Sequence, residues 1–304
     1  MSMNRNYILG IDIGGSHISA CMVDMHGSCL LDHTAVRAKI NPEGNADEII
    51  GAWAMAIESS FGKMHVEEGV NQGRDWHIGI AMPGPFEYEK GISLITGLHK
   101  FESLYGLPVK KLLADRLGIP AENIRMVNDA SAFLLGEVKG GAGKGYIRAA
   151  GVTLGTGVGS AGFFDDAIID GDLWCTPFKD SRAEDYLCSR WFVREYAAIQ
   201  ERRKGNDDAM SIYGVKDLVP LFDVDPDVRA LFTSFGRHLA EALILKYPAH
   251  IQDVVIVGGN ITKAWDLFIP ATLAWWQERG VVMNIRPAIL GEQAAVIGAA
   301  FLWR

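Results

Sequence analysis

The chain has 304 residues, 49% hydrophobic and 22% charged, with 34 glycines and 11 prolines. This is ordinary globular usage, which excludes collagen-like, low-complexity and wholly disordered classes, and at ~150 residues per domain it fits two domains. The formal charge is −8, no basic block exceeds Arg202-Arg203-Lys204, and no apolar run approaches the ~20 residues of a membrane span, so neither nucleic acid nor membrane is an expected partner.

Tyr7 to Ile11 reads as an apolar strand that runs into Asp12-Ile13-Gly14-Gly15-Ser16 and then a second strand, Ile18 to Val23. After a turn at Asp24-Met25-His26-Gly27, Cys29 to Leu31 resumes a strand. A Gly pair between two strands makes a hairpin tip, which argues against a Rossmann or Walker loop, where glycines lead from strand to helix. Asn45 to Phe61 carries Ile49, Ile50, Trp53, Ile57 and Phe61 at helical spacing. Trp76 to Met82 reads as a strand stopped by Pro83-Gly84-Pro85, and Val109 to Leu117 as a helix closed by Gly118 and Pro120. Ile124 to Val127 is a short strand leading through Asn128-Asp129 into a helix, Ala130 to Val138. The run Gly140-Gly141-Ala142-Gly143-Lys144-Gly145 lacks the spacing and the Ser/Thr of a phosphate loop and reads as a flexible connector.

The opening pattern then recurs. Ala149 to Leu154 is a strand, Gly155-Thr156-Gly157-Val158-Gly159 a tip, Ser160 to Phe164 a strand, and Asp165-Asp166 a turn before Ile168-Ile169. Asp12 overlays Thr153, Gly14 overlays Gly155 and Gly15 overlays Thr156, so one supersecondary unit is present twice. Ala183 to Gln200, Pro226 to Leu245 and Trp265 to Arg279 follow with helical spacing, and Asp253 to Val257 is a strand leading into Gly258-Gly259-Asn260. Gln293 to Trp303 closes the chain as an Ala-rich helix whose small residues suit close packing.

Two Gly-rich tips can offer bare backbone N–H groups to a polyphosphate, with hydroxyls from Ser16 and Thr156. Asp12 would repel phosphate unless a cation intervened, and Mg²⁺ held partly through water reconciles the two; the alternative is a carboxylate capping its own turn. Asn128-Asp129 is either a helix N-terminus with its cap, or a general base with a partner that fixes the acceptor hydroxyl. Pro83-Gly84 is a turn or the border of a cleft, and Gly258-Gly259 is a close backbone contact or room for a flat ring. Four scattered cysteines, Cys21, Cys29, Cys175 and Cys188, form neither a C-x-x-C pair nor a disulfide framework. With no signal-peptide pattern at the N-terminus, a cytoplasmic protein is expected.

Together these residues resemble the ROK family of sugar kinases, within the actin-like ATPase superfamily. Asp12-Ile13-Gly14-Gly15-Ser16, Pro83-Gly84, Asn128-Asp129, Leu154-Gly155-Thr156-Gly157-Val158-Gly159, Val257-Gly258-Gly259 and Gly298-Ala299-Ala300 fall in that family's order and spacing along nearly the whole chain. The resemblance implies an α/β, two-lobed actin-like ATPase (ribonuclease H-like) fold with a duplicated βββαβα core and a central cleft. Its lobes would be 1–125 with a returning helix at 290–304, and 126–289. It implies ATP- and Mg²⁺-dependent phosphorylation of a hexose hydroxyl, the glucokinase-like 6-hydroxyl foremost, and suggests a homodimer. Asp129 would be the base. ATP would be bound by Asp12, Gly14, Gly15, Ser16, Gly155, Thr156, Gly157, Gly258 and Gly259, with Mg²⁺ on Asp12 through water. The sugar would meet Pro83, Gly84, Asn128, Asp129, Asp172 and Glu184.

The departures concern the sugar side. Asp172 stands where most members carry a Glu, Cys175 stands where they carry a zinc-binding His, and no cysteine cluster follows, so zinc is not expected. Gly97 replaces a sugar-binding Asn, which leaves His99 or another neighbour to compensate. Some relatives are repressors with an added winged helix; a first strand at Tyr7 leaves no room for one, so DNA binding is not expected. The rival readings are a catalytically inactive sugar sensor and a superfamily kinase or ATPase with a non-sugar substrate.

Overall fold

The computed structural model describes residues 6–68, 76–203, 212–248 and 252–304, so Lys204 of the basic cluster lies outside the described residues. The chain divides into two units, 1–145 with 289–304, and 146–288.

In the first unit, β1 (Tyr7–Ile13) and β2 (His17–Asp24) form an antiparallel hairpin, with Asp12 opposite Ser19 and Ile13 opposite Ile18. β3 (Cys29–Leu30) and β4 (Val36–Lys39) both pair with β2. α1 (Ala46–Glu68) then crosses to β5 (Ile78–Met82), parallel to β1. The start of α1 is a reciprocal cap: Glu48 N donates to Asn45 Oδ1 and Asn45 N donates to Glu48 Oε2, both at 3.0 Å. A two-residue ladder follows, β6 (Phe86–Glu87) with β7 (Ile92–Ser93). α2 (Val109–Leu117) leads to β8 (Ile124–Asn128), parallel to β5, and β8 runs directly into α3 (Asp129–Gly140). The sheet order is β3-β2-β1-β5-β8, and its apolar face closes a core around Ile11, Trp53, Ile57, Ile80 and Phe101.

The second unit repeats this arrangement. β9 (Arg148–Leu154), β10 (Val158–Phe164) and β11 (Ala167–Asp170) form an antiparallel meander. A short ladder, β12 (Pro177–Phe178) with β13 (Ser181–Arg182), precedes α4 (Glu184–Leu187), α5 (Ser189–Arg202), α6 (Val215–Leu218) and α7 (Pro226–Lys246). β14 (Val254–Gly258) pairs parallel to β9, then α8 (Trp265–Gln277) leads to β15 (Ile285–Pro287), parallel to β14. The order β11-β10-β9-β14-β15 is that of the first sheet, strand for strand. The result is a mixed α/β fold with a duplicated arrangement of sheet and helix.

α9 (Gln293–Ala300) follows β15 as α3 follows β8, but it packs in the first unit, against α3, β1 and β5. Glycines make that contact. A Cβ on Gly136 would lie 1.9 Å from Ala294 O, one on Gly298 1.8 Å from Ala132 O, one on Gly10 2.0 Å from Val296 O and one on Gly79 1.8 Å from Ala299 O. No side chain fits at such distances, so the backbones touch.

Three details differ from the sequence reading. The unit boundary falls after Gly145, because β8 pairs with β5 and α3 packs on α9, which groups 126–145 with the first unit. The connector 140–145 is tied down: Glu137 O accepts from Gly141 N and Gly143 N, both at 2.9 Å, and the buried Glu137 Oε2 accepts from Ala142 N at 2.7 Å. The helix read over Ala183 to Gln200 is broken, since Cys188 is extended (φ −116°, ψ 168°) between α4 and α5. Among the described residues, no helix is long and apolar enough to cross a membrane.

Candidate active site

In the first unit the candidate residues gather at one end of the sheet, where β1, β5 and β8 finish side by side. β1 ends in Asp12 and Ile13, and the tip Gly14-Gly15-Ser16-His17 is closed by Gly14 N donating to His17 O at 2.9 Å. Ser16 Oγ bonds His17 Nδ1 at 2.8 Å. The stem of Lys100 lies alongside, its Cδ 3.7 Å from where a Gly15 Cβ would be. Lys100 thus brings a cationic side chain beside the first tip, and nothing in its local sequence pattern marks it.

β8 delivers Asn128 and Asp129. Asn128 does cap α3, accepting from Ala130 N at 2.9 Å, while its amide donates to Tyr88 Oη at 3.2 Å, and that hydroxyl donates to Met82 O at 2.9 Å. Tyr88 is a second residue that sequence reading missed. A Cβ on Gly84 would sit 3.1 Å from Tyr88 Oη and 3.9 Å from Asn128 Nδ2, so the Pro83-Gly84 turn, Tyr88 and Asn128 form one contiguous group. Asp129 is exposed at the first turn of α3, its Oδ1 accepting from Ala130 N at 2.8 Å. The cap and base readings of this pair are therefore not exclusive: Asn128 fills the cap, and Asp129 is the exposed residue beside it.

Asp12 feels Asp129 across the sheet end. Burial, then the charges of Asp129 and Glu292, push its carboxyl up to about 7, against the opposing pull of Arg37. Arg37 itself is ion-paired with Glu292. A carboxylate this uncomfortable suits a divalent cation. One carboxylate at a strand end, with no second protein ligand needed, matches Mg²⁺, which keeps its waters and binds through one or two carboxylates plus phosphate oxygens. A fully protein-built metal cage is a different matter: among the described residues no group of three or more His, Cys, Asp or Glu is placed to hold a metal ion.

The raised value has a consequence for stability. Between its ordinary 3.8 and about 7 the folded protein holds a proton on Asp12 that the unfolded chain releases, so this group makes stability fall as pH rises through that window. Asp12→Asn is expected to raise the melting temperature of the ligand-free protein at about pH 8, with the gain disappearing near pH 4. Melting curves at the two pH values check this; equal melting at pH 8 would refute it.

In the second unit the tip is shorter, Gly155-Thr156-Gly157 between the paired Leu154 and Val158, closed by Gly155 N donating to Gly157 O at 3.0 Å. Ser189 N and Ser189 Oγ both donate to Gly155 O, at 2.8 and 3.0 Å. Arg190 Nη1 donates to Thr156 O at 2.9 Å. Glu184 lies under the same tip, accepting from Val158 N at 3.2 Å and from Arg190 Nη2 at 3.1 Å. Gly259 has φ +90°, and a Cβ there would meet Leu154 O at 2.3 Å, so glycine at 259 is required by the strand beside it. Gly258 pairs with Thr153, which puts the Gly258-Gly259 corner at the root of the second tip.

Asp172 is not tied to that group. It is exposed, takes a left-handed conformation (φ 50°), and its carbonyl accepts from Thr176 Oγ1 at 3.1 Å and Cys175 Sγ at 3.4 Å. Buried Ser160 anchors the turn by accepting from Leu173 N at 2.9 Å.

A family model described as the ROK family matches residues 8–174, more than half of the chain. The chain is 32% identical to a glucokinase of Thermotoga maritima over 157 residues, which span 52% of this chain and 44% of that protein. It is 26% identical to a glucokinase of Streptomyces coelicolor over 97% of both chains. Among solved structures, a ROK hexokinase from Thermus thermophilus has the same fold, with a TM-score of 0.76 at 23% identity, over 97% of this chain and 96% of that one. Because the family model covers more than half of the chain, including the first glycine tip, the Asn-Asp strand end and the second glycine tip, this chain belongs to the ROK family.

Proposed function

We propose that this chain is an ATP-dependent kinase for a hexose or hexose-derivative hydroxyl, glucokinase-like in using the 6-hydroxyl. The observation that carries the reading is the pair of carboxylates at one sheet end: exposed Asp129 on the helix start, and Asp12 pushed up to about 7 partly by Asp129's charge. Two carboxylates with such different surroundings suit two tasks. Asp129 accepts the proton of the acceptor hydroxyl. Asn128, its amide steered by Tyr88, holds that hydroxyl in line, and Pro83-Gly84 borders the sugar. The backbone of Gly14, Gly15 and Ser16 and of Gly155, Thr156 and Gly157 holds phosphate oxygens, and Gly258-Gly259 borders the adenine. Asp12 orders the water shell of Mg²⁺, which when bound neutralises the phosphates. Positioning dominates, because phosphoryl transfer is loose and mostly electrostatic.

Glu184 and Asp172 complete the sugar side. Glu184, already fixed by Val158 N and Arg190, is the firmer of the two; Asp172, exposed on its own turn, is where acceptor choice departs from glucose. The actin-like, ribonuclease H-like classification, a homodimer and a cytoplasmic location belong to the same reading.

The test is ADP release from Mg-ATP across hexoses, N-acetylhexosamines and ketoses. Stimulation by one acceptor is the expected result. Stabilisation by a sugar without ADP release would instead favour a sensor, and turnover that no sugar stimulates would favour a kinase or ATPase with another substrate.

A further inference from the structure

The second tip has four peptide units, and three residues outside it fix how they face. A trans peptide is planar, so a carbonyl and the N–H across the same bond point in opposite directions. The Gly155 carbonyl is taken by Ser189 and the Thr156 carbonyl by Arg190. The N–H groups on the far sides of those two bonds belong to Thr156 and Gly157, and they must point away from Ser189 and Arg190. The two flanking N–H groups are spent: Gly155 N on Gly157 O, and Val158 N on Glu184. Thr156 N and Gly157 N alone of the four have no partner among the described residues. Two successive unpaired N–H groups facing outward are the elements of an anion nest.

Holding them so requires a donor under each carbonyl. Ser189 serves the first through its backbone as well as its hydroxyl, and the break at Cys188 lets it do so. Only a side chain serves the second. Arg190 reaches it from the start of α5 and, with its other terminal nitrogen, reaches Glu184. A guanidinium presents several donors in a rigid fork and can satisfy both at once; an ammonium is a single point. The Arg190 side chain is 56% exposed, so the core does not depend on it.

We propose that Arg190 is a positioning residue for phosphate recognition: by forking between the Thr156 carbonyl and the Glu184 carboxylate it keeps the Gly157 N–H, and with it the tip, turned outward to receive a phosphate of the nucleotide. This rests on the kinase reading above, and it further ties the sugar-side Glu184 to the phosphate-side tip through one side chain.

Calorimetric titration of Mg-ADP and of adenosine into the purified full chain tests it, with wild type, Arg190→Met, Arg190→Lys and Ser189→Ala compared. The expected result is weaker Mg-ADP binding in Arg190→Met, by about 10-fold, the loss of one charge-assisted hydrogen bond. Adenosine affinity should be unchanged, since adenosine has no phosphate to meet the tip. Arg190→Lys should recover part of the loss, and Ser189→Ala, which keeps its backbone donor, should lose less than Arg190→Met. Melting temperatures should stay close to wild type. Unchanged Mg-ADP affinity in Arg190→Met, or an equal loss for adenosine, overturns this role and leaves the kinase reading standing. Failure of wild type to bind Mg-ADP overturns the nucleotide reading, and this role with it.

Discussion

Asp129→Asn should lower turnover by about 10²–10⁴-fold, the usual contribution of a positioned general base, with little change in melting temperature. The side chain is exposed, and asparagine can still accept from Ala130 N through its Oδ1. The helix keeps its cap because Asn128 supplies it. Losing a negative charge at the helix start costs ~0.3–1 kcal/mol, and relief of the repulsion with Asp12 works in the other direction. Replacement of Asn128 is the contrasting case, since it removes the cap and the Tyr88 bond together and should lower both stability and activity. The check is a coupled ADP assay beside thermal melts of the same preparations. Turnover within tenfold of wild type in Asp129→Asn would take the base role away from this residue.

The largest effect on stability should come from a single methyl group. Gly298→Ala places a Cβ where Ala132 O is 1.8 Å away, on backbone that cannot swing aside, and Gly136→Ala does the same against Ala294 O at 1.9 Å. Overpacking of a filled contact costs ~1–3 kcal/mol, and more where backbone must move, so each variant should melt several degrees below wild type. Gly62→Ala in α1 is the control. Nothing lies within 4 Å of its Cβ, and the helix propensity gained should stabilise by ~0.5–1 kcal/mol. Melts of the three variants, opposite in sign between α1 and the α3–α9 pair, decide the point. Similar shifts in all three would mean that the helices yield more than their close approach implies.

Both tips, the Asn-Asp strand end and the Ala-rich final helix were legible in the sequence because each depends on local chemistry: glycine where backbone must turn, a cap where a helix starts, small residues where helices touch. The repeat was legible because it is written twice in order, and the sheet orders match accordingly. What escaped depends on distance along the chain. Arg190 meets a carbonyl 34 residues earlier, and no local pattern announces that. Tyr88 and Asn128 lie 40 residues apart. The two-residue strands at 177–178 and 181–182 are too short for any alternation to register. The break at Cys188 lies inside a run whose apolar spacing is helical on both sides, and it coincides with the bond from Ser189 N to the distant Gly155 O. The boundary after Gly145 escaped for the same reason, since only the pairing of β8 and the packing of α3 reveal it.

The placement of α9 bears on the order of assembly as the ribosome releases the chain. Residues 146–288 form one uninterrupted stretch, and Glu137 holds both the segment just before it, at Ala142, and the segment just after it, at Ile289 and Leu290. That stretch is an insertion in the middle of a unit whose α9 is made afterwards. Until it arrives, Gly10, Gly79 and Gly136 line an uncovered bed, and Ile78 O lacks the indole of Trp303 that donates to it at 3.0 Å. The unit carrying Asp12 and Asp129 is completed only after 146–288 has been made, so nascent chains hold that bed open for at least that stretch of synthesis, as a docking place for chaperones and a liability for aggregation.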